Sequence, residues 1–295
     1  MTNGVLLFAF NNSNIDYVKQ AIFCAKRVKK YLGLDVQVVT DAVDYIKAEY
    51  PFWNKYINHI TYQESPKPAR KKFYDGIYSN KTLEWKNSAR DTAYELSVFD
   101  KTLVIDTDFI ISNNKLLTCF ECNQEFMIAK KYNLVNTKKL EPSFDRISDK
   151  SIPMFWATVI YFEKSKTSKF IFDLVAHIKE NYNYYRLVYN IIEKKFRNDF
   201  AFSIAIHIIN SFQNKTSWPL EIPTDMWVST DKDILLDIKD SNIKLLAHKE
   251  YDYIAVKLKD ANTHIMNKFS LNKFIDEEFK NCLLYTSPSP RDSCA

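Results

Sequence analysis

Two acidic side chains follow a strongly apolar segment near the middle of the chain. Residues 102–105 read TLVI, and Asp106 and Asp108 come directly after them, separated only by Thr107. Two carboxylates this close repel each other, so a cation or several hydrogen bonds must keep them ionised. Oxygen-rich sites of this kind suit hard divalent cations such as Mg²⁺ and Mn²⁺. The pattern therefore predicts a metal site at the end of a buried strand.

The amino-terminal segment predicts strands whose carboxyl ends would lie beside this metal site, at the same edge of a sheet. Residues 4–10 are an apolar run, residues 15–32 have helical apolar spacing, and residues 36–39 form a second short strand. Such a βαβ unit predicts a parallel sheet that binds its ligand at the carboxyl ends of its strands. The polar residues that follow the first two strands would line this edge: Asn11, Asn12 and Asp41.

The rest of the chain continues the alternation of strands and helices. A predicted helix over 84–98 would carry Lys86 and Arg90, and residues 50–82, with a basic run at 70–72, are expected to form a solvated linker or a loop over the site. Further strands are predicted at 125–129, 153–162, 243–247 and 252–258, and further helices at 166–181, 199–212 and 271–280. We expect an α/β fold with a mixed, mainly parallel sheet flanked by helices.

The domain expected from these elements is a single one over residues 1–281, because no linker or internal repeat divides the chain. Residues 282–295 are rich in serine and proline and resemble translated sequencing-adapter read-through. We therefore expect 282–295 to be a non-native, disordered tail and leave it out of the fold prediction.

The composition excludes several ways of binding phosphate. The chain has 3 glycines, where average usage would give about 20. Neither a G-x-G-x-x-G dinucleotide loop nor a Walker A loop can be written from them. A phosphate ligand would have to be held by a metal or by cationic side chains.

Charge and hydropathy narrow the class of partner. A net charge of +5 with mixed signs along the chain does not predict nucleic-acid binding. No apolar run reaches the roughly 18 residues of a membrane span, and the start of the chain lacks the features of a signal peptide. We expect a cytoplasmic protein with no membrane span.

Three segments together resemble the GT-A glycosyltransferases, especially family 8-like and phage or viral nucleotide-diphospho-sugar transferases. The segment from Trp85 to Asp108 is similar to the block of that family that ends in its D-x-D motif. Residues 155–162 resemble the acceptor-side strand, and residues 197–201 resemble a helix start with N-D or Q-D. The resemblance covers residues 4–270 and implies a metal-dependent hexosyltransferase-like enzyme with a nucleotide-sugar donor, UDP-linked by expectation, and a saccharide or other hydroxyl acceptor.

The resemblance also implies roles for individual residues. Asp106 and Asp108 would bind Mn²⁺ or Mg²⁺, Asp106 would also contact the ribose of the donor, and a late histidine would complete the metal site. His248 and His264 are the candidates, and His264 is preferred because Lys268 follows at a spacing that could reach a diphosphate. The remaining roles are as follows: Arg90 and Lys86 on the phosphates or sugar, Asn11, Asn12 and Asp41 on the base and ribose, and Asn198 and Asp199 on the sugar and acceptor.

Three other functions stay open at this point. The strand ending in Asp106 and Asp108 also fits a haloacid-dehalogenase-like phosphohydrolase, but that class needs a later glycine and none follows Gly76. A nucleotidyltransferase that makes the activated sugar would need a glycine-rich loop near the amino terminus. A sugar-nucleotide-binding protein without catalysis would keep the same fold and the same acids.

Overall fold

The chain begins with the strand–helix–strand unit that the sequence predicts. The helix starts at an Asp16 side chain that accepts the backbone N–H of Lys19 at 2.9 Å, and Gly33 follows its end with a φ of +66°. Such a left-handed backbone is readily adopted by glycine, and it lets the Gly33 N–H bond the carbonyl of Val28 at 3.1 Å. Local capping therefore fixes where this helix begins and ends.

The computed structural model describes residues 1–136, 145–149, 151–214 and 217–286, the last few of them, 281–286, by their backbone. Within these ranges the helices are α1 (Tyr17–Tyr31), α2 (Val43–Glu49), α3 (Ala93–Leu96), α4 (Thr118–Glu121), α5 (Lys166–Glu180), α6 (Tyr182–Val188), α7 (Asn198–Ile209) and α8 (Lys268–Thr286). Helix α8 continues past residue 281, where we expected the domain to end, and residues 287–295 of the expected tail lie outside the described residues.

The strands of the described residues are β1 (Asn3–Phe8), β2 (Asp35–Thr40), β3 (His59–Tyr62), β4 (Ala69–Asp75), β5 (Ser79–Trp85), β6 (Lys101–Ile105), β7 (Phe109–Ile110), β8 (Phe126–Ala129), β9 (Asn133–Leu134), β10 (Trp156–Glu163), β11 (Leu220–Glu221), β12 (Trp227–Ser229), β13 (Ile234–Lys239), β14 (Asn242–Lys249), β15 (Asp252–Lys259) and β16 (Thr263–Ile265). The strands predicted at 125–129, 153–162, 243–247 and 252–258 are confirmed within a few residues.

A central sheet runs in the order β11-β8-β10-β6-β1-β2-β3. Its strands are parallel except β10, which lies antiparallel to both β6 and β8. The predicted α/β class with a mixed, mainly parallel sheet flanked by helices is confirmed. The main hydrophobic core lies between this sheet and the helices packed on it, with β1 and β6 completely buried over Val5–Leu7 and Leu103–Val104.

Within the described residues, three smaller sheets accompany the central one. The short strands β7, β16, β12 and β9 form one sheet, the strands β13–β15 form an antiparallel meander, and β4 pairs with β5 in a hairpin. The hairpin corrects the expected linker over 50–82, and β5 with a loop replaces most of the helix expected over 84–98. Only residues 93–96 of that stretch are α-helical. Cross-strand pairing with β4 holds Glu84 and Trp85 in a strand, residues 86–89 form a loop, and residues 90–92 form a 3₁₀ turn.

No helix in the described part of the chain is both long and apolar enough to cross a lipid bilayer.

Candidate functional site

A cavity of about 620 Å³ opens at the carboxyl ends of β1 and β6, which is the edge where the sequence predicts a ligand. The turn after β6 lies at its base, and the hairpin β4–β5 forms part of its wall. The candidate residues that line it are Lys86, Arg90, Asp106, Asp108, Asn198, Asp199, His264 and Lys268. The fold therefore brings together residues separated by most of the chain.

The turn after β6 presents the two predicted carboxylates. The Asp106 N–H donates to the carbonyl of Thr158 on the antiparallel neighbour β10 at 3.0 Å, and the Phe109 N–H donates back to the carbonyl of Asp106 at 3.0 Å. These two bonds close a tight turn that leaves both side chains free of the strand ladder. Asp108 is 4% exposed, so its charge needs compensation from nearby groups.

His264 reaches this turn through strand pairing. Strand β16 runs antiparallel to β7, with His264 opposite Phe109, and the Ile265 N–H donates to the carbonyl of Asp108 at 2.9 Å. The imidazole Nε2 consequently lies 3.1 Å from Asp108 Oδ2 and 3.8 Å from Asp106 Oδ2. Burial lowers the pKa of His264 to about 3, so its imidazole is neutral. Neutral imidazole is the form that binds metals.

Lys268 reaches the same carboxylate from the start of α8. Asn267 caps this helix, because its Oδ1 accepts the Ser270 N–H at 3.0 Å. The Lys268 ammonium then pairs with Asp108 Oδ2. Burial, assisted by the cationic Lys71 and Arg90, lowers the pKa of Lys268, but the Asp108 carboxylate in direct contact favours the charged ammonium.

The donor atoms of this centre fit a hard divalent cation. One ligand atom from each of Asp106, Asp108 and His264 lies within 4.8 Å of the others. Two carboxylates and a neutral imidazole are a set that Mn²⁺ and Mg²⁺ accept, with positions left over for ligand oxygens. Lys268 and Arg90 place positive charge directly against the two carboxylates, and the residues present fit the predicted metal.

Arg90 connects the acidic turn to α7. It lies in a short 3₁₀ turn, is 4% exposed, and pairs with Asp106 Oδ1. Its Nη1 donates to Asn87 Oδ1 at 2.6 Å, and Asn198 Nδ2 donates to the Asn87 carbonyl at 3.0 Å. Burial lowers the pKa of Arg90 to about 10, which leaves the guanidinium charged near neutral pH. The prediction of a helix around Arg90 is wrong. The loop after β5 instead leads into the short 3₁₀ turn that carries Arg90 and places it beside Asp106.

Asp199 is positioned by an irregularity in β10. The register between β10 and β8 shifts between Trp156 and Ile160, and the Ala157 N–H donates to Asp199 Oδ1 at 2.9 Å. Arg197 donates to the other carboxylate oxygen at 2.8 Å. Burial opposes ionisation of Asp199, but Arg197 and the Ala157 N–H outweigh burial and lower its pKa. An ionised carboxylate is thus fixed in the cavity wall.

Several buried polar atoms of the cavity have no hydrogen-bond partner among the described residues. They are the hydroxyl groups of Tyr17 and Thr230, the side-chain carbonyl oxygens of Asn136 and Asn198, and Nε of Arg90. Buried polar groups are nearly always paired in folded proteins, so unpaired groups facing one cavity indicate that a polar ligand or water completes them. This cavity therefore has the properties of a binding site for a polar molecule.

Three predicted residues lie outside this cavity. Asn11 Oδ1 accepts the N–H of Val18 in the first turn of α1 at 3.0 Å, and Asn12 Oδ1 accepts the N–H groups of Asn14 and Ile15 in the turn before that helix. Asp41 follows β2 and does not line the cavity either. Lys86 lines the cavity, and its Nζ lies 3.9 Å from a carboxylate oxygen of Glu84. His248, the alternative histidine, also lines the cavity, and its Nε2 lies 2.7 Å from the carbonyl oxygen of Glu250.

Sequence reasoning missed other cationic and aromatic residues of the wall. Lys71 and Phe73 come from β4, Trp85 ends β5, and Lys195 precedes α7. The basic run at 70–72 was a signal for Lys71, and alternation along a strand would have separated the inward Lys71 from the outward Lys72. No comparable pattern marks Lys195.

No protein-family model matches the chain, and no curated protein matches it. Solved structures are similar to it at low sequence identity. The glycosyltransferase GlyE of Streptococcus pneumoniae TIGR4 is 12% identical with a TM-score of 0.41, over 70% of this chain and 43% of GlyE. The galactosyltransferase LgtC with donor and acceptor sugar analogs is 14% identical with a TM-score of 0.42, over 69% and 70%. The 4-diphosphocytidyl-2C-methyl-D-erythritol synthase of Anaerococcus prevotii DSM 20548 is 12% identical with a TM-score of 0.36, over 72% and 84%. The chain spans less than half of the length of GlyE.

Proposed function

We propose that this chain is a metal-dependent glycosyltransferase that moves a sugar from a nucleotide-diphosphate sugar, UDP-linked, to a hydroxyl group of a saccharide or other acceptor. The observation that carries the proposal is the cluster of Asp106, Asp108 and His264 at the base of a large polar cavity. Two buried cations, Arg90 and Lys268, lie against the same carboxylates. A diphosphate leaving group needs positive charge of this kind where its own charge develops.

Mn²⁺ or Mg²⁺ held by Asp106, Asp108 and His264 would supply Lewis-acid stabilisation of the diphosphate. The chain's own residues contribute the rest of the positive charge. Lys268 is anchored to the start of α8, and Arg90 is fixed by Asn87 and Asp106, so neither cation has to be ordered during the reaction. Such preorganised charges in a site that excludes water stabilise a transition state more than mobile ones do.

The wall of the cavity offers separate regions for the parts of the donor and for the acceptor. Phe8 and Phe10 lie at the end of β1, Tyr17 begins α1, and these aromatic side chains suit the nucleoside. On the other side, Asn198 presents an unpaired carbonyl oxygen and Asp199 an ionised carboxylate. These two groups would accept hydrogen bonds from sugar or acceptor hydroxyls and orient them. Asn11, Asn12 and Asp41 are given no contact in this proposal.

The test is nucleotide release from a panel of nucleotide-diphosphate sugars, measured with and without Mn²⁺ for wild type and Asp108→Asn. We expect release to depend on the cation and to fall at least about 100-fold in the variant, since a key charge at the reacting centre is lost. Asp44→Asn makes the same chemical change at an exposed position of α2 and should leave release unchanged.

Two results would contradict the proposal. Equal release by wild type and Asp108→Asn would remove the assigned centre. Pyrophosphate release from UTP and a sugar 1-phosphate, with no consumption of any nucleotide sugar, would identify a nucleotidyltransferase instead.

A further inference from the structure

The cavity contains more positive charge than the proposed donor and metal require. Among the residues that the structure describes, seven Lys and Arg line it against five Asp and Glu. A divalent cation and a nucleotide-diphosphate sugar carry opposite and roughly equal charges, so their joint binding does not reduce this excess. Arg90, Lys268 and Arg197 already pair with carboxylates of the cavity. The excess positive charge therefore lies on the other lysine side chains of the cavity wall.

Two of the remaining cations meet at one aromatic ring. The Lys71 Nζ lies 5.5 Å and the Lys195 Nζ 5.4 Å from the ring centroid of Trp85. Among the described residues, neither ammonium group has a carboxylate within ion-pair distance. We call Lys71 and Lys195 the lysine pair. Cation–π contact holds each ammonium near the ring but does not cancel its charge.

The lysine pair is held together at an electrostatic cost. Lys71 is carried by the hairpin and Lys195 by the loop before α7, so two separate elements bring them to the same place. Burial, together with repulsion from Arg197 and Lys195, lowers the pKa of Lys71 in spite of the nearby Asp231. Like charges gathered in a cavity wall are relieved when an anion binds between them.

The lysine pair lies in the same cavity as the candidate metal centre. Lys71 is close enough to His264 and Lys268 to lower the pKa of both, and it is also close to Arg197 and Lys195. Lys195 precedes α7 in the chain, and this helix carries Asp199, which is proposed to meet the acceptor.

Resting on the proposed function, we propose that the lysine pair binds a phosphate monoester carried by the acceptor. Such a group bears between about 1.5 and 2 negative charges near pH 7, which matches two unpaired ammonium groups. A carboxylate would leave one of them uncompensated. The acceptor is accordingly a phosphorylated saccharide or another phosphorylated alcohol, with its hydroxyl directed towards Asp199.

The test uses glucose 6-phosphate and glucose as probes, titrated calorimetrically into the chain saturated with UDP and Mn²⁺. We expect glucose 6-phosphate to bind at least about 10-fold more tightly than glucose, since charge-assisted hydrogen bonds to phosphate are strong. Lys195→Ala should abolish this preference and leave the affinity for UDP with Mn²⁺ unchanged. Lys194→Ala removes an adjacent exposed ammonium that does not line the cavity and should keep the preference.

The outcomes separate this inference from the proposed function. If UDP and Mn²⁺ bind but glucose 6-phosphate binds no better than glucose, the phosphate site is overturned and the transferase proposal stands. If Lys195→Ala weakens UDP binding as much as glucose 6-phosphate binding, the lysine pair serves the donor diphosphate and the inference is wrong. Glucuronate binding as tightly as glucose 6-phosphate would also overturn it. If UDP and Mn²⁺ fail to bind the wild-type chain, both proposals fall together.

Discussion

Asp199 shows how one side chain is fixed by two neighbours of different kinds. One carboxylate oxygen accepts a backbone N–H from β10, and the other accepts the Arg197 guanidinium. Its side chain is 17% exposed, so water contributes little to its solvation. The same bonds that hold the carboxylate ionised for the proposed acceptor contact also stabilise the fold, and the two effects can be measured separately.

Replacing Asp199 by Asn should lower stability in a pH-dependent way. The folded-state pKa of Asp199 is lowered, so its contribution to stability is complete above the unfolded carboxyl pKa of about 4 and is lost as the pH falls through the lowered folded value. Urea unfolding should show Asp199→Asn about 1–3 kcal/mol less stable than wild type at pH 7, with the difference shrinking at acidic pH. Asp173→Asn, at an exposed pair with Lys169, should change stability by less than about 1 kcal/mol. A difference independent of pH would show that the charge of Asp199 plays no part.

At the residue scale, the sequence points to candidate metal ligands, but it does not point to the other side chains of the cavity wall. Asp106 and Asp108 follow a recognisable buried strand, whereas the late histidine is implied only by the resemblance, and His264 is preferred because of the spacing to Lys268. The ligands of a metal must be of particular types, and this makes them visible in a sequence. Lys71 and Lys195 belong to the most ordinary class of surface residue, and only the fold shows that both meet Trp85.

The hairpin β4–β5 is the element of the site that differs most from the sequence prediction. It is packed down by a small hydrophobic cluster of Ile15, Phe73 and Leu83 that is separate from the main core. The hairpin contributes Lys71 and Trp85 to the cavity wall. An element held by so few buried contacts can open without unfolding the central sheet.

Replacing Phe73 by Ala should therefore loosen the hairpin locally. Phe73 is 3% exposed, and the truncation of a buried phenylalanine costs about 3–5 kcal/mol, which the small cluster must bear. We expect amide hydrogen exchange of β4 and β5 to accelerate by more than tenfold, while β1 and β6 keep their protection. Tyr74→Ala, on the opposite face of the same strand, is the control and should have little effect. Equal acceleration throughout the chain would mean that the hairpin opens only by global unfolding.

Elements of the central sheet were predictable because their apolar runs and capping residues act locally. Strands β1 and β2 and helix α1 are found within a few residues of their expected bounds. Residues 84–98 were assigned to a helix on apolar spacing, but pairing with β4 holds the first of them in a strand. Asn11 and Asn12 show the same limit of sequence prediction. A polar residue after a strand can contact a ligand, or it can bond the backbone that leads into the next helix, as these two do.

For the molecule as a whole, nucleotide and cation should stabilise the fold together. A ligand that binds only the folded chain stabilises it by about 2.7 kcal/mol when present at 100 times its dissociation constant. UDP with Mn²⁺ should therefore raise the midpoint of thermal unfolding by several degrees, and by more than either ligand alone, because the diphosphate and the cation neutralise each other's charge. Asp108→Asn should remove the rise, whereas Asp44→Asn should retain it. A shift produced by UDP alone, equal to that with Mn²⁺, would contradict the metal centre.

The distance along the chain between Asp108 and His264 has a consequence for synthesis. Their side chains are 156 residues apart in sequence, yet Nε2 and Oδ2 are 3.1 Å apart in space. Strand β16, which carries His264, comes directly before α8, so the three proposed ligands come together only after synthesis has passed residue 265. A nascent or prematurely terminated chain that has folded its central sheet would present the two acids without the imidazole. We therefore expect cation binding at this centre to begin only once β16 has paired with β7.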